Sequence, residues 1–175
     1  DMEVFAEMTL TVNQADYTQV QQVEAGCLRY LVDFDSCPDK LILGGELNGT
    51  DIGLIRRLSG EEDMPVEGIV LPDTFPLHVL DISQCRIVAG GNAYYKEYVT
   101  EDNVIGTEMF ESRISLEEVV LPQTVVAIGD NAFAGCAGLK DIEIPASVAT
   151  IGYASFYGCT GLEAFVVAAE NKAFK

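Results

Sequence analysis

A block of 23 residues occurs twice in succession, and its apolar positions recur in the same places. Residues 116–138 and 139–161 align without gaps and share nine of 23 positions, in the order Leu, Pro, Val, Ile, Gly, Phe, Gly, Cys, Gly. Chance would give roughly one or two identities at ordinary residue frequencies. Because so short a unit cannot bury its own apolar face, the periodicity predicts units that stack on one another.

Each unit begins like a short strand. Val119 and Leu121 alternate to one side, and Pro122 cannot donate to a β-ladder, so it ends the strand. Val125 and Ile128 then turn inward on the next segment.

The second half of the unit reads as a single helical turn. Asp130 and Asn131 are a plausible cap for a turn that carries Phe133 inward. Stacking then places Phe133 on Phe156, and it makes Cys136 and Cys159 equivalent buried, reduced thiols. The pattern predicts an α/β repeat solenoid with short helical turns.

The pattern extends beyond the two regular units and sets the organisation of the chain. Residues 162–175 open a partial unit, and Leu77–Ile82 repeats the strand spacing. Ile105 follows Leu77 by 28 residues where a regular unit uses 12, so an insertion of 16 residues lies within about residues 84–103. We therefore expect a capping region over 1–76 and a repeat region over 77–175.

The capping region is predicted to alternate strands and helices. The expected strands are Met8–Val12 and Lys40–Leu43. The expected helices are Asp16–Ala25 and a second one that begins at Thr50 or Asp51 and ends at Leu58, with Arg56 and Arg57 in water. Glu61–Asp63 is expected to be a solvated loop.

Charge and composition exclude several classes of function. The 175 residues are 49% hydrophobic and carry a net charge of −18, which opposes binding to nucleic acid or to an anionic membrane. No apolar run approaches the roughly 18 residues that span a bilayer. We expect no cofactors, metal ligands or catalytic residues, because His78 is the one histidine and no nucleophile or phosphate-binding motif is present. We also expect the protein to be a monomer.

Two groups of residues are candidates for binding. Carboxylates occupy outward strand positions at Asp81, Glu118, Asp141 and Glu143, which would suit a basic protein segment or a cation. The insertion carries Tyr94, Tyr95 and Tyr98, a composition typical of binding surfaces. The alternatives are solubility charge for the carboxylates and, for the tyrosines, a loop whose rings pack on the repeats.

The repeated phrase Ile-Gly-x-x-Ala/Ser-Phe-x-Gly-Cys-x-x-Leu resembles the BspA-like leucine-rich-repeat surface proteins of Bacteroides-type bacteria. The resemblance is close over about residues 105–167. It implies a right-handed, leucine-rich-repeat-like solenoid with a parallel sheet, export to the cell surface or medium, and binding or adhesion, and it implies no catalytic residue.

Three hypotheses about function follow. The first is a non-catalytic, surface-exposed or secreted module that recognises an extracellular protein or glycan through the solenoid face. The second is a structural spacer within a larger surface protein. The third is a carbohydrate-active enzyme with paired carboxylates, which the absence of Trp and of a local motif disfavours.

Overall fold

A computed structural model describes residues 19–32, 38–60 and 77–174. The expected strand Met8–Val12 and the expected loop Glu61–Asp63 lie outside these residues. The strands, in chain order, are β1 (Gln21–Val23), β2 (Lys40–Leu47), β3 (Val79–Ile87), β4 (Gly90–Tyr95), β5 (Tyr98–Thr100), β6 (Val104–Ile105), β7 (Glu118–Val120), β8 (Ala127–Ile128), β9 (Asp141–Ile144), β10 (Thr150–Ile151) and β11 (Ala164–Val167). Helix α1 spans Gly49–Leu58, and a 3₁₀ turn spans Leu28–Tyr30.

The chain forms two parallel sheets, and successive repeat units contribute neighbouring strands to each. The larger sheet has the order β1-β2-β3-β7-β9-β11 and the smaller one β10-β8-β6, while β4 and β5 form an antiparallel hairpin. In the smaller sheet Ile105, Ile128 and Ile151 lie side by side, 23 residues apart. The predicted repeat fold with a parallel sheet is confirmed at this level.

A row of stacked phenylalanine rings runs through the interior. The ring centroids of Phe110 and Phe133 are 5.2 Å apart, and those of Phe133 and Phe156 are 5.3 Å apart with planes at 4°. Phe133 is completely buried. The expected stacking of Phe133 on Phe156 is therefore confirmed, and it begins one unit earlier at Phe110.

Main-chain hydrogen bonds also join the second halves of neighbouring units, and we call this set the turn ladder. Three alternate N–H groups of one unit donate to three alternate carbonyls of the next. At the first junction the pairs are Glu108 to Asp130, Phe110 to Ala132 and Ser112 to Ala134. At the second they are Asn131 to Tyr153, Phe133 to Ser155 and Gly135 to Tyr157.

The expected helical turn in each unit is wrong, and the turn ladder gives the reason. The segment around Phe133 forms consecutive tight turns, because its alternate N–H groups donate to the next unit. Asp130 does not cap its own unit; its Oδ1 accepts from the N–H of Tyr153 at 2.7 Å. A Cβ on Gly129 would lie 2.7 Å from the Thr107 nitrogen, so this glycine permits the close approach of two units.

The first described element of the capping region differs from its sequence expectation. Gln21–Val23, which the expected helix Asp16–Ala25 includes, is strand β1 and pairs in parallel with β2. The exposed edge of β2 offers this segment a row of main-chain partners, and tertiary pairing outweighs a weak helical spacing. Strand β2 is confirmed and runs four residues beyond the expected end, to Leu47.

The second expected helix is confirmed as α1, but its start differs. The N-cap is Asn48, whose side chain accepts from the N–H of Thr50 at 2.9 Å. Asp51 closes a capping box, and its carboxylate also accepts from the N–H groups of Gly26 and Leu28. Burial raises the pKa of Asp51 even though these bonds oppose the shift.

Removing the central ring of the phenylalanine stack should destabilise the fold strongly. For Phe133→Ala we expect a loss of about 3–5 kcal/mol in the free energy of unfolding, because a fully buried ring leaves a cavity between two other rings. Urea denaturation followed by circular dichroism measures this loss. The matched control is Tyr157→Ala, an aromatic ring that is 78% exposed, and comparable losses in both variants would contradict the role of the stack.

Candidate functional site

The outward side chains of the six-stranded sheet form one continuous surface, which we call the strand face. Alternation along each strand puts the neighbouring residues inside, and Leu80, Val119 and Ile142 are buried. Strand pairing aligns the outward residues in rows. One row contains Lys40, Val79, Glu118, Asp141 and Ala164, and a second contains Ile42, Asp81 and Val120.

Three predicted carboxylates lie together and in solvent on this face. Glu118 and Asp141 are direct neighbours on β7 and β9, and Glu143 lies two residues further along β9. All three side chains are exposed, and none forms an ion pair with any residue that the structure describes. Like charges on neighbouring strands repel, so this arrangement costs stability.

The fourth predicted carboxylate, Asp81, belongs to the same surface but is already engaged. It is half-buried, and its Oδ1 accepts from the N–H of Ser83 at 2.9 Å. This bond lies at an irregularity where β2 and β3 shift register after Asp81. Asp81 therefore shapes the strand as well as adding charge.

Two cations near the strand face are held by other carboxylates. Lys140, directly before β9, pairs with Glu117, and Arg86 on β3 pairs with Glu46 on β2. The hydrogen bond to Glu117 raises the pKa of Lys140, and the same bond lowers the pKa of Glu117. These pairs are exposed and contribute little to stability, and they leave Glu118 and Asp141 without an ion pair among the described residues.

Aliphatic side chains lie between the carboxylates. Ile42, Val79 and Val120 are half-buried on the strand face, and Val166 on β11 is 48% exposed. Val166 pairs directly with Glu143. The face therefore combines negative charge with apolar contact area.

The tyrosines of the insertion lie elsewhere, on the hairpin β4–β5. Tyr94 is only 4% exposed and belongs to the core, which corrects the expectation that its ring offers contact area. Its hydroxyl donates to the carbonyl of Thr107 at 2.7 Å, and burial raises the pKa of Tyr94. A partner could reach this ring only if the hairpin detached, so Tyr94 is removed from the candidate contact residues.

Tyr95 and Tyr98 are half-buried and accompany charged groups. The ring of Tyr95 faces the guanidinium of Arg56 at 4.1 Å and the ammonium of Lys96 at 4.7 Å. The negative charge of Glu108 raises the pKa of Tyr98. Among the described residues, no hydrogen bond, ion pair or ring contact joins these tyrosines to the predicted carboxylates, so the structure does not merge the two candidate groups.

Arg56 lies against the ring of Tyr95 and donates to main-chain carbonyls of the repeat region. Arg56 was expected in water, yet it is 1% exposed, and its Nη1 donates to the carbonyls of Glu108 and Met109 at 2.6 and 3.0 Å. Arg113 Nε donates in the same way to the carbonyl of Glu111 at 2.8 Å. In the first unit, which contains Phe110, the carbonyls of Thr107, Met109 and Glu111 are equivalent to those that accept in the turn ladder. Their donors are the side chains of Tyr94, Arg56 and Arg113, respectively.

Two exposed aromatic residues were missed by the sequence reasoning. Tyr153 and Tyr157 are 82% and 78% exposed and belong to one turn of the unit 139–161. The repeat alignment contained the signal, because both replace small or polar residues, Asp130 and Ala134, of the preceding unit.

No cluster of possible metal ligands is found in the part of the chain that the structure describes. His78 is exposed. The described helices include none long and apolar enough to cross a bilayer.

The comparisons with known proteins concern the C-terminal part of the chain. Residues 103–175 match the family model described as "BspA type Leucine rich repeat region (6 copies)". Repeats of this type commonly mediate protein–protein interaction or adhesion at surfaces, and they are generally non-catalytic. The matched residues include the whole phenylalanine stack, whereas β1–β3, α1 and the hairpin precede them. A comparison with curated proteins gave no match.

Removing the hydroxyl of Tyr94 should cost stability. In Tyr94→Phe the carbonyl of Thr107 loses its donor inside the protein, for which we expect a loss of about 1–3 kcal/mol in the free energy of unfolding. Urea denaturation measures the change. The control is Tyr153→Phe, whose ring is exposed, and an equal effect in both would refute the capping role of Tyr94.

The thiols of the repeat should differ in reactivity. Burial raises the pKa of Cys136 to about 12, and its Sγ donates to the carbonyl of Phe110. Cys159 is the equivalent thiol but half-buried, so the prediction that both are buried is met only by Cys136, while both are free. With an aromatic disulfide reagent and peptide mapping, we expect Cys159 to react in the native protein and Cys136 only on unfolding. Equal rates, or a bridge between them, would contradict this.

Proposed function

We propose that this chain is a non-catalytic module that binds a basic protein segment through the strand face. The observation that carries the proposal is the trio Glu118, Asp141 and Glu143, which is exposed, unpaired among the described residues and interleaved with aliphatic side chains. A partner with alternating basic and apolar side chains could relieve the repulsion between the carboxylates and cover the valines.

The proposal includes features of the whole assembly. We propose that the units form a right-handed solenoid, that residues 1–76 cap the repeat region 77–175, and that the module is a monomer displayed at a cell surface or secreted. The family similarity of residues 103–175 supports the location, because proteins with such repeats are typically surface-exposed or secreted. The six-stranded sheet is continuous across the proposed boundary, since β2 pairs with β3.

The test measures binding of the protein to a synthetic peptide in which lysine alternates with valine. Surface plasmon resonance at several salt concentrations compares the native chain with the triple variant Glu118→Gln, Asp141→Asn, Glu143→Gln. We expect at least about tenfold weaker binding, or about 1.4 kcal/mol, because three direct charge contacts are lost. The variant should be no less stable than the native chain, because like charges on adjacent strands are removed.

A matched control separates the strand face from overall charge. Glu97→Gln, Glu101→Gln, Glu170→Gln removes the same three charges from exposed positions outside the six-stranded sheet. Equal weakening by both triples would show attraction by net charge alone and would contradict the site.

Other outcomes of the same experiment assign the alternative functions. Equal binding to a peptide that alternates glutamate with valine would also contradict a charge-complementary face. Binding to glycans but not to either peptide would replace the proposed partner class. No binding to any ligand would favour the spacer, and turnover of a glycan that one carboxylate substitution abolishes would establish the enzyme.

A further inference from the structure

One row of the strand face alternates between apolar and acidic side chains from strand to strand. Ile42 on β2 pairs with Asp81 on β3, and Asp81 pairs with Val120 on β7. Strands β7 and β9 pair with an offset of 23 residues, which places Val120 beside Glu143. We call these four side chains, in the order Ile42, Asp81, Val120, Glu143, the alternating row.

The side chains of the alternating row point away from the core. Asp81 lies between Leu80 and Ile82, which are completely buried, and Glu143 lies between two buried isoleucines. Val120 is half-buried between the two carboxylates. Each strand of the row has a paired neighbour on both sides in the six-stranded sheet, so the row includes neither edge of that sheet.

The sheet sets the distance between the two carboxylates. Adjacent strands lie roughly 4.8 Å apart, so positions on β3 and β9, which are two strands apart, are separated by about 9.6 Å along the row. Val120 occupies the midpoint. A complementary partner therefore needs cationic groups about 9.6 Å apart on one line, with apolar contact between them.

The polyproline II helix has the repeat that fits this distance best. It rises roughly 3.1 Å per residue with three residues per turn, so every third side chain lies on one edge at intervals of about 9.3 Å. Side chains on one face of an extended strand recur roughly every 6.7 Å. An α-helix advances roughly 5.4 Å per turn, or about 10.8 Å in two turns.

We propose that the alternating row binds a polyproline II segment that crosses the strands and carries a lysine or arginine at every third position. The inference rests on the proposed function, and it specifies the conformation and the sequence period of the basic partner. Successive cations contact Asp81 and Glu143, and the residues between them, rich in proline, cover Val120. Such a segment is ordered before it binds, so binding costs little conformational entropy.

The charges beside the alternating row favour the same placement. Glu118 and Asp141 lie in the adjacent row and add negative potential along one side of the segment. Lys40 lies on β2 next to Val79, and the alternating row itself has the neutral Ile42 on that strand. The cations of the partner therefore lie over β3 and β9 rather than over β2.

The experiment compares two lysine–proline peptides of equal composition on the full chain. One contains four repeats of Lys-Pro-Pro, and the other has its four lysines alternating with proline, followed by the remaining prolines. Both favour polyproline II, but only the first places neighbouring lysines on one edge about 9.3 Å apart. By isothermal titration calorimetry at low salt, we expect the first peptide to bind at least about tenfold more tightly.

Two double variants locate the preference on the face. Asp81→Asn with Glu143→Gln should bring the two affinities to within about twofold of each other, because both charges of the row are lost. The asparagine keeps an oxygen that can accept from the N–H of Ser83. The matched control, Glu118→Gln with Asp141→Asn, removes two charges from the adjacent row, so it should weaken both peptides and keep the preference. Circular dichroism checks that each variant is folded.

Three results would overturn the inference. Equal affinity of the native chain for both peptides, or a preference that survives Asp81→Asn with Glu143→Gln, would contradict the three-residue period. The basic partner would still stand in that case if the lysine–valine peptide binds. Tighter binding of a helical peptide with lysine at every second turn would assign an α-helix instead. Failure of every basic peptide to bind would contradict the proposed function as well.

Discussion

The turn ladder is the constraint on which the rest of the structure depends. A 23-residue unit leaves alternate N–H and C=O groups of its second half without partners inside the unit, and at both junctions of the turn ladder the adjacent unit supplies them. The same contact stacks Phe133 on Phe156 and requires Gly129 at the closest approach. Stability therefore comes from junctions rather than from single units, and the first unit, which has no preceding repeat in the described residues, must be satisfied in another way.

The N-terminal region satisfies one end with side chains instead of a repeat. Arg56 comes from α1, Tyr94 from the hairpin, and Arg113 from the first unit itself, so three separate segments converge on one row of carbonyls. Bonds from charged donors in a buried setting are strong, and the ring of Tyr95 covers the guanidinium of Arg56. Helix α1 and the hairpin thus share one structural role, which is to supply hydrogen-bond donors to the carbonyls of the first unit.

A part of the fold could be predicted where its contacts follow a sequence repeat or alternation, and not where they join residues distant in sequence. The repeat is visible in the sequence because Phe133 and Ile128 have equivalents 23 residues away. Stacking brings such equivalent residues into contact, so the sequence spacing also predicts the tertiary contact. The roles of Arg56 and Tyr94 could not be predicted, because each donates to a carbonyl that is distant in sequence and has no side-chain signature. Gln21–Val23 was misassigned for the same reason, since its partner strand decides its conformation. For the candidate site, alternation along strands placed Glu118, Asp141 and Glu143 correctly in solvent, while composition alone misplaced Tyr94.

The strand face is available for function because its outward side chains take no part in the hydrogen bonds of the turn ladder. In each strand one side chain of every two faces the core, as Val119 and Ile142 do, and the alternate position is free to vary without disturbing a junction. Repeated strands in register bring such positions side by side, so Glu118 next to Asp141 concentrates like charge at a cost to the fold. A basic partner would recover that cost on binding. Carboxylates that weaken the free protein would then strengthen the complex, which is the balance expected at a binding surface rather than in a spacer.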